Sequence, residues 1–327
     1  MKSGPGQIPS SPRKSLTVSA IIPTKGRDQD LQNTIRSILR QTVLPLQLII
    51  VDQNDDSEIR RGLEEMFASA PERAGSTLDL IYIHDPFIVG PAVARNRAMD
   101  AAKGEVWLFL DDDVTLEPNF IAELQAVYLS HPVAVGVSGI ITNYAPPGIL
   151  HRLWNAIFFR GPFRDERQPI YWRAEQLRQS QPLPVTKFTG ACMSFRASAI
   201  RGQRFDEALQ SAYEEDIEFC LRIEPRPLLV IAPGARLAHH KSTSGRSGEH
   251  HLKKETRAAY YLYRKYWQAG FKNHLCFAWV NVGYALIATL ASVFRFTLNP
   301  WRAVFSGMRE AKLNLSRSSS GDRNFCS

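Results

Sequence analysis

Cysteine is scarce in this chain: Cys192, Cys220, Cys276 and Cys326 are the only four among 327 residues, and no two fall at metal-ligand spacing. That excludes a disulfide-stapled scaffold and a zinc ribbon or finger, so the four read as thiols of a reducing compartment, Cys192 and Cys220 in the core. Long runs of lysine or arginine are missing too, although Lys and Arg outnumber Asp and Glu by 40 to 32, for a formal charge of +8. Dispersed basic residues, without a zinc-finger, homeodomain or RNP-type signature, argue against a nucleic-acid partner. The basic residues gather toward the C-terminus, where an anionic membrane surface is the expected partner. Met1 to Lys14 hold no apolar stretch of signal-peptide type, only a segment rich in Pro, Ser and Gly. Residues 1–15 are therefore expected to be a disordered leader and the body of the chain cytoplasmic. Neither G-x-G-x-x-G nor G-K-[ST] occurs, which removes dinucleotide and P-loop chemistry.

What the chain does have, from Leu16 to about Tyr144, is an alternation of short apolar runs with longer amphipathic ones. Val18–Ile22, Leu46–Val51, Leu78–Ile83, Val106–Leu110 and Val133–Ile141 read as strands. Leu31–Leu39, Ile59–Phe67, Ala92–Ala102 and Glu117–Leu129 read as helices. Strands separated by helices predict βαβ units, an α/β fold with a mostly parallel sheet flanked by helices. Residues 145–185 break the rhythm with prolines and glycines among aromatics, and order resumes at Lys187–Arg196, a helix near Glu215–Ile223 and a strand at Leu228–Ile231. The 19 residues Cys276 to Phe294 carry no charge, with Lys272 before them and Arg295 after. A bilayer span, an in-plane helix and a buried core helix all fit that segment. The expected division is an α/β domain at 16–248 and a helical extension at 249–327.

The run Val106 to Leu110 ends in Asp111, Asp112 and Asp113, and a buried strand has no folding reason to finish in three carboxylates. On extended backbone Asp111 and Asp113 share a face, about 6.5 Å apart at Cα, while Asp112 faces away. Such hard oxygen ligands suit Mg²⁺ or Mn²⁺, with a solvated acidic turn as the plain alternative. Position favours the cation, because ligands of open α/β sheets sit beyond the carboxyl ends of strands. The first strand leaves through Pro23, Thr24, Lys25, Gly26 and Arg27, and the second through Asp52. A lysine or arginine there can pair with phosphate and an aspartate can accept a nucleobase N–H. Gly90 to Asn96 opens a helix, whose free N–H groups favour anions. Glu214, Glu215 and Asp216 precede another, and His239 and His240 end a strand-like region, Leu228 to Leu237.

Taken in order, I-I-P-T-x-x-R, I-I-V-D-x-x-x-D, G-x-x-x-A-R-N, G-E-V-W-L-F-L-D-D-D-V-x-L-x-P, T-G-A-x-M-x-F-R and E-D before a helix resemble the family 2 glycosyltransferases of the GT-A fold, over about Leu16 to His240. The resemblance implies an inverting transfer of a sugar from a nucleoside-diphosphate donor to a polysaccharide or lipid-linked acceptor, assisted by Mn²⁺ or Mg²⁺. It implies that Pro23, Thr24, Arg27 and Asp52 hold the nucleoside, that Arg95 lies by the base or diphosphate, and that Asp111 and Asp112 belong to the nucleotide side. Asp113, with Asp111 and His239, is the implied metal set, His240 being the alternative register. Asp216 is the implied general base, with Glu215 beside it. Gln53 and Asn54 depart from the family pattern, which bears on nucleotide preference. The 145–185 insertion is expected on the acceptor side, or as plain structural filling. The expected location is the inner face of the plasma membrane, peripheral or held by the apolar helix. A silent sugar-nucleotide-binding scaffold and a sugar nucleotidyltransferase are the rival readings.

Overall fold

The computed structural model describes residues 15–56, 58–68, 78–209, 214–223, 228–240 and 248–321. The expected leader, apart from Ser15, and Cys326 lie outside the described residues. In chain order the elements are β1 (Val18–Thr24), α1 (Asp28–Leu39), β2 (Gln47–Asp52), α2 (Glu58–Ala68), β3 (Asp79–His84), α3 (Pro91–Met99), β4 (Val106–Leu110), β5 (Val114–Leu116), α4 (Phe120–Ser130) and β6 (Ala134–Ile141). Then follow α5 (Ile149–Phe158), a 3-10 turn (Gly161–Phe163), α6 (Gln168–Tyr171), β7 (Leu183–Val185), β8 (Cys192–Arg196), α7 (Ala197–Ile200), α8 (Glu215–Arg222) and β9 (Leu228–His239). The chain closes with α9 (Gly248–Tyr266), α10 (Phe271–Arg295) and α11 (Asn299–Gly321).

One sheet runs in the order β3-β2-β1-β4-β8-β6-β9-β5, with β7 added on β9. β1, β2 and β4 are buried along their whole length, which is why they read as unbroken apolar runs. β3, β2, β1 and β4 are parallel. From β1 the chain passes to β2 on one side, and later returns to place β4 on the other, so the strand order reverses between β1 and β4. In open α/β sheets ligands bind at such a switch point, beyond the carboxyl ends of the strands. Beyond β4 the sheet is mixed, because β8 pairs antiparallel with both β4 and β6. Apolar runs carry no strand direction, and only the topology reveals that half.

β9 takes in both the strand at Leu228–Ile231 and the strand-like continuation to Leu237, and ends at His239. Gly139 pairs with Ala232 and the next residue, Ile140, with Arg236, so Pro233, Gly234 and Ala235 bulge out of register. Such a bulge bends the strand. Gly139 is needed at the bend: a Cβ there would lie 2.4 Å from Phe120 Cε2 and 2.7 Å from Ala235 O. Past the bulge β9 pairs with β5, Val114 opposite His239, which carries the histidine to the residues that follow β4.

The C-terminal helices pack on this body. α10 runs antiparallel to α9: the Tyr263 and Phe277 rings stack at 3.8 Å, Tyr284 OH reaches Glu255 O at 3.4 Å, and Arg295 approaches Glu249 at 3.6 Å. α9 holds α8 through Lys265 and Tyr266, 3.0 and 2.6 Å from Glu218 Oε1. α11 returns along α9, tied by Lys253 to Glu310 at 2.5 Å.

Candidate active site

The acidic triplet sits just past β4, and its geometry comes from a turn rather than from extended backbone. Asp111 N–H donates to Ala191 O at 3.3 Å, and Asp113 O accepts His240 N–H at 2.8 Å. Thr34 of α1 pins the turn, its hydroxyl 2.8 Å from Asp112 O and accepting Val114 N–H at 3.1 Å. Asp112 points inward and is wholly buried; it accepts Thr24 Oγ1 at 2.8 Å and pairs with Arg27 at 2.8 Å. Burial pushes its carboxyl up to about 7, against the pull of Arg27 and Thr24. Arg27 also reaches Asp113 Oδ2 at 2.8 Å, so one guanidinium binds the two acids together.

Asp111 and Asp113 turn toward His239. Three ligand atoms from these residues lie within 4.8 Å of one another. Asp113 Oδ1 is buried, accepts no hydrogen bond, and lies 3.1 Å from His239 Nε2, close enough for an ion pair but without hydrogen-bond alignment. A divalent cation such as Mn²⁺ fits that set, since it accepts carboxylate oxygens and an imidazole nitrogen as ligands. The histidine is held in place: Tyr144 OH meets its Nδ1 at 2.6 Å, and Asn143 bonds its N–H and its carbonyl at 3.0 Å each. A partner on the far ring nitrogen fixes tautomer and orientation. His240 turns away onto Thr115 at 3.0 Å, so His239 alone of the pair faces the acids.

Arg95, from the buried face of α3, connects this cluster to a second. Its guanidinium pairs with Asp111 at 3.2 Å and with Glu215 at 2.8 Å, and is fully enclosed. Both acids raise its affinity for the proton against the cost of burial. Next to Glu215, at the start of α8, Asp216 Oδ2 accepts Gly190 N–H at 2.6 Å and Oδ1 accepts its own neighbour Ile217 N–H at 2.7 Å. Burial and the Glu215 charge push the Asp216 carboxyl up to about 7. Gly190 makes the approach possible; a Cβ there would sit 3.0 Å from Arg95 Nη2. Arg167, from the 145–185 insertion, bonds Phe188 O two residues earlier and is itself clamped by Asp165 at 2.8 Å.

At the end of β2 Asp52 pairs in register with Thr24, one residue beyond the buried Pro23. Its carboxylate is taken up by Tyr82 OH at 2.5 Å and Asn54 N–H at 2.9 Å. Gln53 links the β1 and β2 ends to α3 by accepting Gly90 N–H at 3.1 Å. Thus Thr24, Arg27, Asp111, Asp112, Asp113 and His239 form one connected net, Arg95 joins it to Glu215 and Asp216, and Asp52 adjoins through the sheet. Sequence reasoning missed Tyr144, Tyr82, Thr34 and Arg167. Each lies in a stretch with no motif of its own, and only Thr34, a polar residue on the buried face of α1, left a legible signal.

Residues 19–202, more than half of the chain, match the family model described as Glycosyl transferase family 2. The chain belongs to glycosyl transferase family 2. Within it, the glucosyl-dolichyl phosphate glucuronosyltransferase of Haloferax volcanii is 30% identical over 128 residues, 38% of each chain. The pre-mycofactocin glycosyltransferase of Mycobacterium tuberculosis is 25% identical over 228 residues, 69% of this chain and 43% of that one. These matches span less than half of the relatives' own length. Among solved structures, Staphylococcus aureus TarS in complex with UDP-GlcNAc superposes with a TM-score of 0.58 at 14% identity, covering 93% of this chain and 83% of its own. The mannosyltransferase PcManGT of Pyrobaculum calidifontis, in complex with GDP-Man and Mn²⁺, gives 0.56 at 15% identity over 95% and 90%. Both establish the glycosyltransferase fold of this family 2 chain.

Proposed function

We propose that this family 2 protein is an inverting glycosyltransferase that moves a sugar from a nucleoside-diphosphate donor to a hydroxyl of a glycan or lipid-linked acceptor, working at the cytoplasmic side of a membrane. The observation that carries the reading is Arg95, one buried guanidinium with the cation cluster at one end, through Asp111, and Glu215 beside Asp216 at the other. A nucleotidyltransferase or a silent scaffold has no need of a basic carboxylate so close to a cation site.

In this reading Asp111, Asp113 and His239 hold Mn²⁺ or Mg²⁺, which when bound supplies positive charge to the diphosphate oxygens. Pro23, Thr24 and Asp52 border the nucleoside, and Arg27, kept in place by Asp112, lends its charge to the phosphates. Asp216 takes the proton of the acceptor hydroxyl as that oxygen bonds to the anomeric carbon. The bond from that carbon to the phosphate oxygen breaks on the opposite face, its electron pair leaves with the nucleoside diphosphate, and the configuration inverts. A carboxyl near 7 suits this task, because a base works best with its pKa near the working pH. Two acceptor classes remain in the proposal, since the relatives include proteins named for dolichyl phosphate and for succinoglycan biosynthesis.

The test is release of nucleoside diphosphate from a panel of sugar nucleotides with and without Mn²⁺. Metal-dependent turnover of one donor is expected, with Asp216→Asn still binding that donor in a thermal shift but transferring about 10²-fold or more slowly. Binding without turnover by the wild type, or normal transfer by Asp216→Asn, contradicts it.

A further inference from the structure

α10 is long and apolar enough to cross a membrane, yet its packing describes a different posture. Val280, Gly283, Tyr284 and Ala288 are buried on one side. Leu275, Trp279, Val282, Leu286, Leu290 and Val293 are exposed and recur at helical spacing on the other. α5 carries a matching stripe, Ile149, Leu150, Leu153 and Ile157. The two stripes join, because Trp279 Nε1 donates to Ile157 O at 2.8 Å and the Trp279 ring stacks on Phe158 at 5.4 Å. Beyond α10, Phe296 closes the helix in the left-handed backbone region at φ 50°, its N–H donating to Val293 O at 3.4 Å, and leaves its ring 96% exposed.

We infer that α5 and α10 together form a platform that lies in the plane of an anionic bilayer, its apolar face at acyl-chain depth, rather than spanning it. Two observations commit the face to that occupant. α5, α10 and the turn 296–298 contain no Asp or Glu, while Arg152, Arg160 and Lys272 are exposed around the stripes. Basic charge rimming an apolar face is the pattern of interfacial helices. Second, α10 lies along α9 over its length, and α9 carries Glu249, Lys253, Glu255, Arg257 and Lys265. A spanning α10 would drag those charges into hydrocarbon, which an in-plane α10 avoids. The posture also orients the site. Tyr144, the partner of His239, is five residues before α5, so about 18 Å of chain at most separates it from the platform. The inference rests on the proposed reading only for the use of that orientation, on a membrane-held acceptor.

Flotation of the full chain with phosphatidylcholine vesicles containing one-third phosphatidylglycerol tests it, with no donor present. The wild type is expected to float with these vesicles, to be released by carbonate at pH 11, and to bind pure phosphatidylcholine less. Leu150 and Leu290 are more than half exposed, so Leu150→Glu/Leu290→Glu leaves the fold and nucleoside diphosphate release intact. Its vesicle partition is expected to fall about tenfold or more. Carbonate resistance of the wild type, unchanged flotation of the double variant, or a dimer that the variant splits without any vesicle binding overturns the inference. A wild type that floats as expected but turns over no donor would instead count against the glycosyltransferase reading.

Discussion

Asp216 draws its basicity from burial and from Glu215, while the hydrogen bonds from Gly190 and Ile217 hold it still. Because it must be unprotonated to accept a proton, transfer is expected to rise as pH climbs through about 7 and to fall away below it. A pH profile of transfer at saturating donor, with Mn²⁺ binding followed in parallel, separates this from titration of the cation cluster; a flat profile from pH 5.5 to 8.5 contradicts it. Arg95 is the other decisive residue. Arg95→Met strands the Asp111 and Glu215 carboxylates, and removing one partner of a buried ion pair costs about 3–5 kcal/mol, measurable by urea unfolding. At this scale the sequence displayed the chemistry-bearing types and hid their partners. Asp111 and Asp113 stood out as acids at a strand end. Tyr144 did not, since an aromatic beside a proline-rich insertion is as often packing as function.

The elements explain how distant residues meet. His239 comes to Asp113 only because β9 bulges at Pro233–Ala235 and turns onto β5. Gly139→Ala presses a methyl against Phe120 and the Ala235 carbonyl, and overpacking of that kind costs about 1–3 kcal/mol. The expected outcome is a lowered melting temperature together with weaker Mn²⁺ binding, read by calorimetry; intact Mn²⁺ affinity in a folded variant would separate the bend from the site. The parallel half of the sheet was legible because strands buried on both faces show as continuous apolar runs, and β4 was bounded to the residue. The second half was less so. The strand-like pattern of β9 carries no sign of the bulge at Pro233–Ala235, and α5 lies in a stretch dominated by turn formers.

Across the whole molecule the C-terminal helices reach the start of α8. Arg257 of α9 binds Glu214 through both oxygens, at 2.7 and 2.8 Å, two residues from Asp216. Burial pushes the Glu214 carboxyl up to about 7 even against Arg257. Removing the cation raises it further. A folded state that keeps a proton the unfolded chain has released loses stability as pH rises. Arg257→Met is therefore expected to destabilise more at pH 8 than at pH 5.5 in thermal melts, and equal losses at both contradict the coupling. The central claim concerns the cation cluster and is tested most directly by a Mn²⁺ titration followed by electron paramagnetic resonance, on the wild type and on Asp113→Ala, each with and without a nucleoside diphosphate. One ion bound by the wild type, held more tightly with the diphosphate and lost in Asp113→Ala, is expected. Equal Mn²⁺ binding by both proteins would contradict the account.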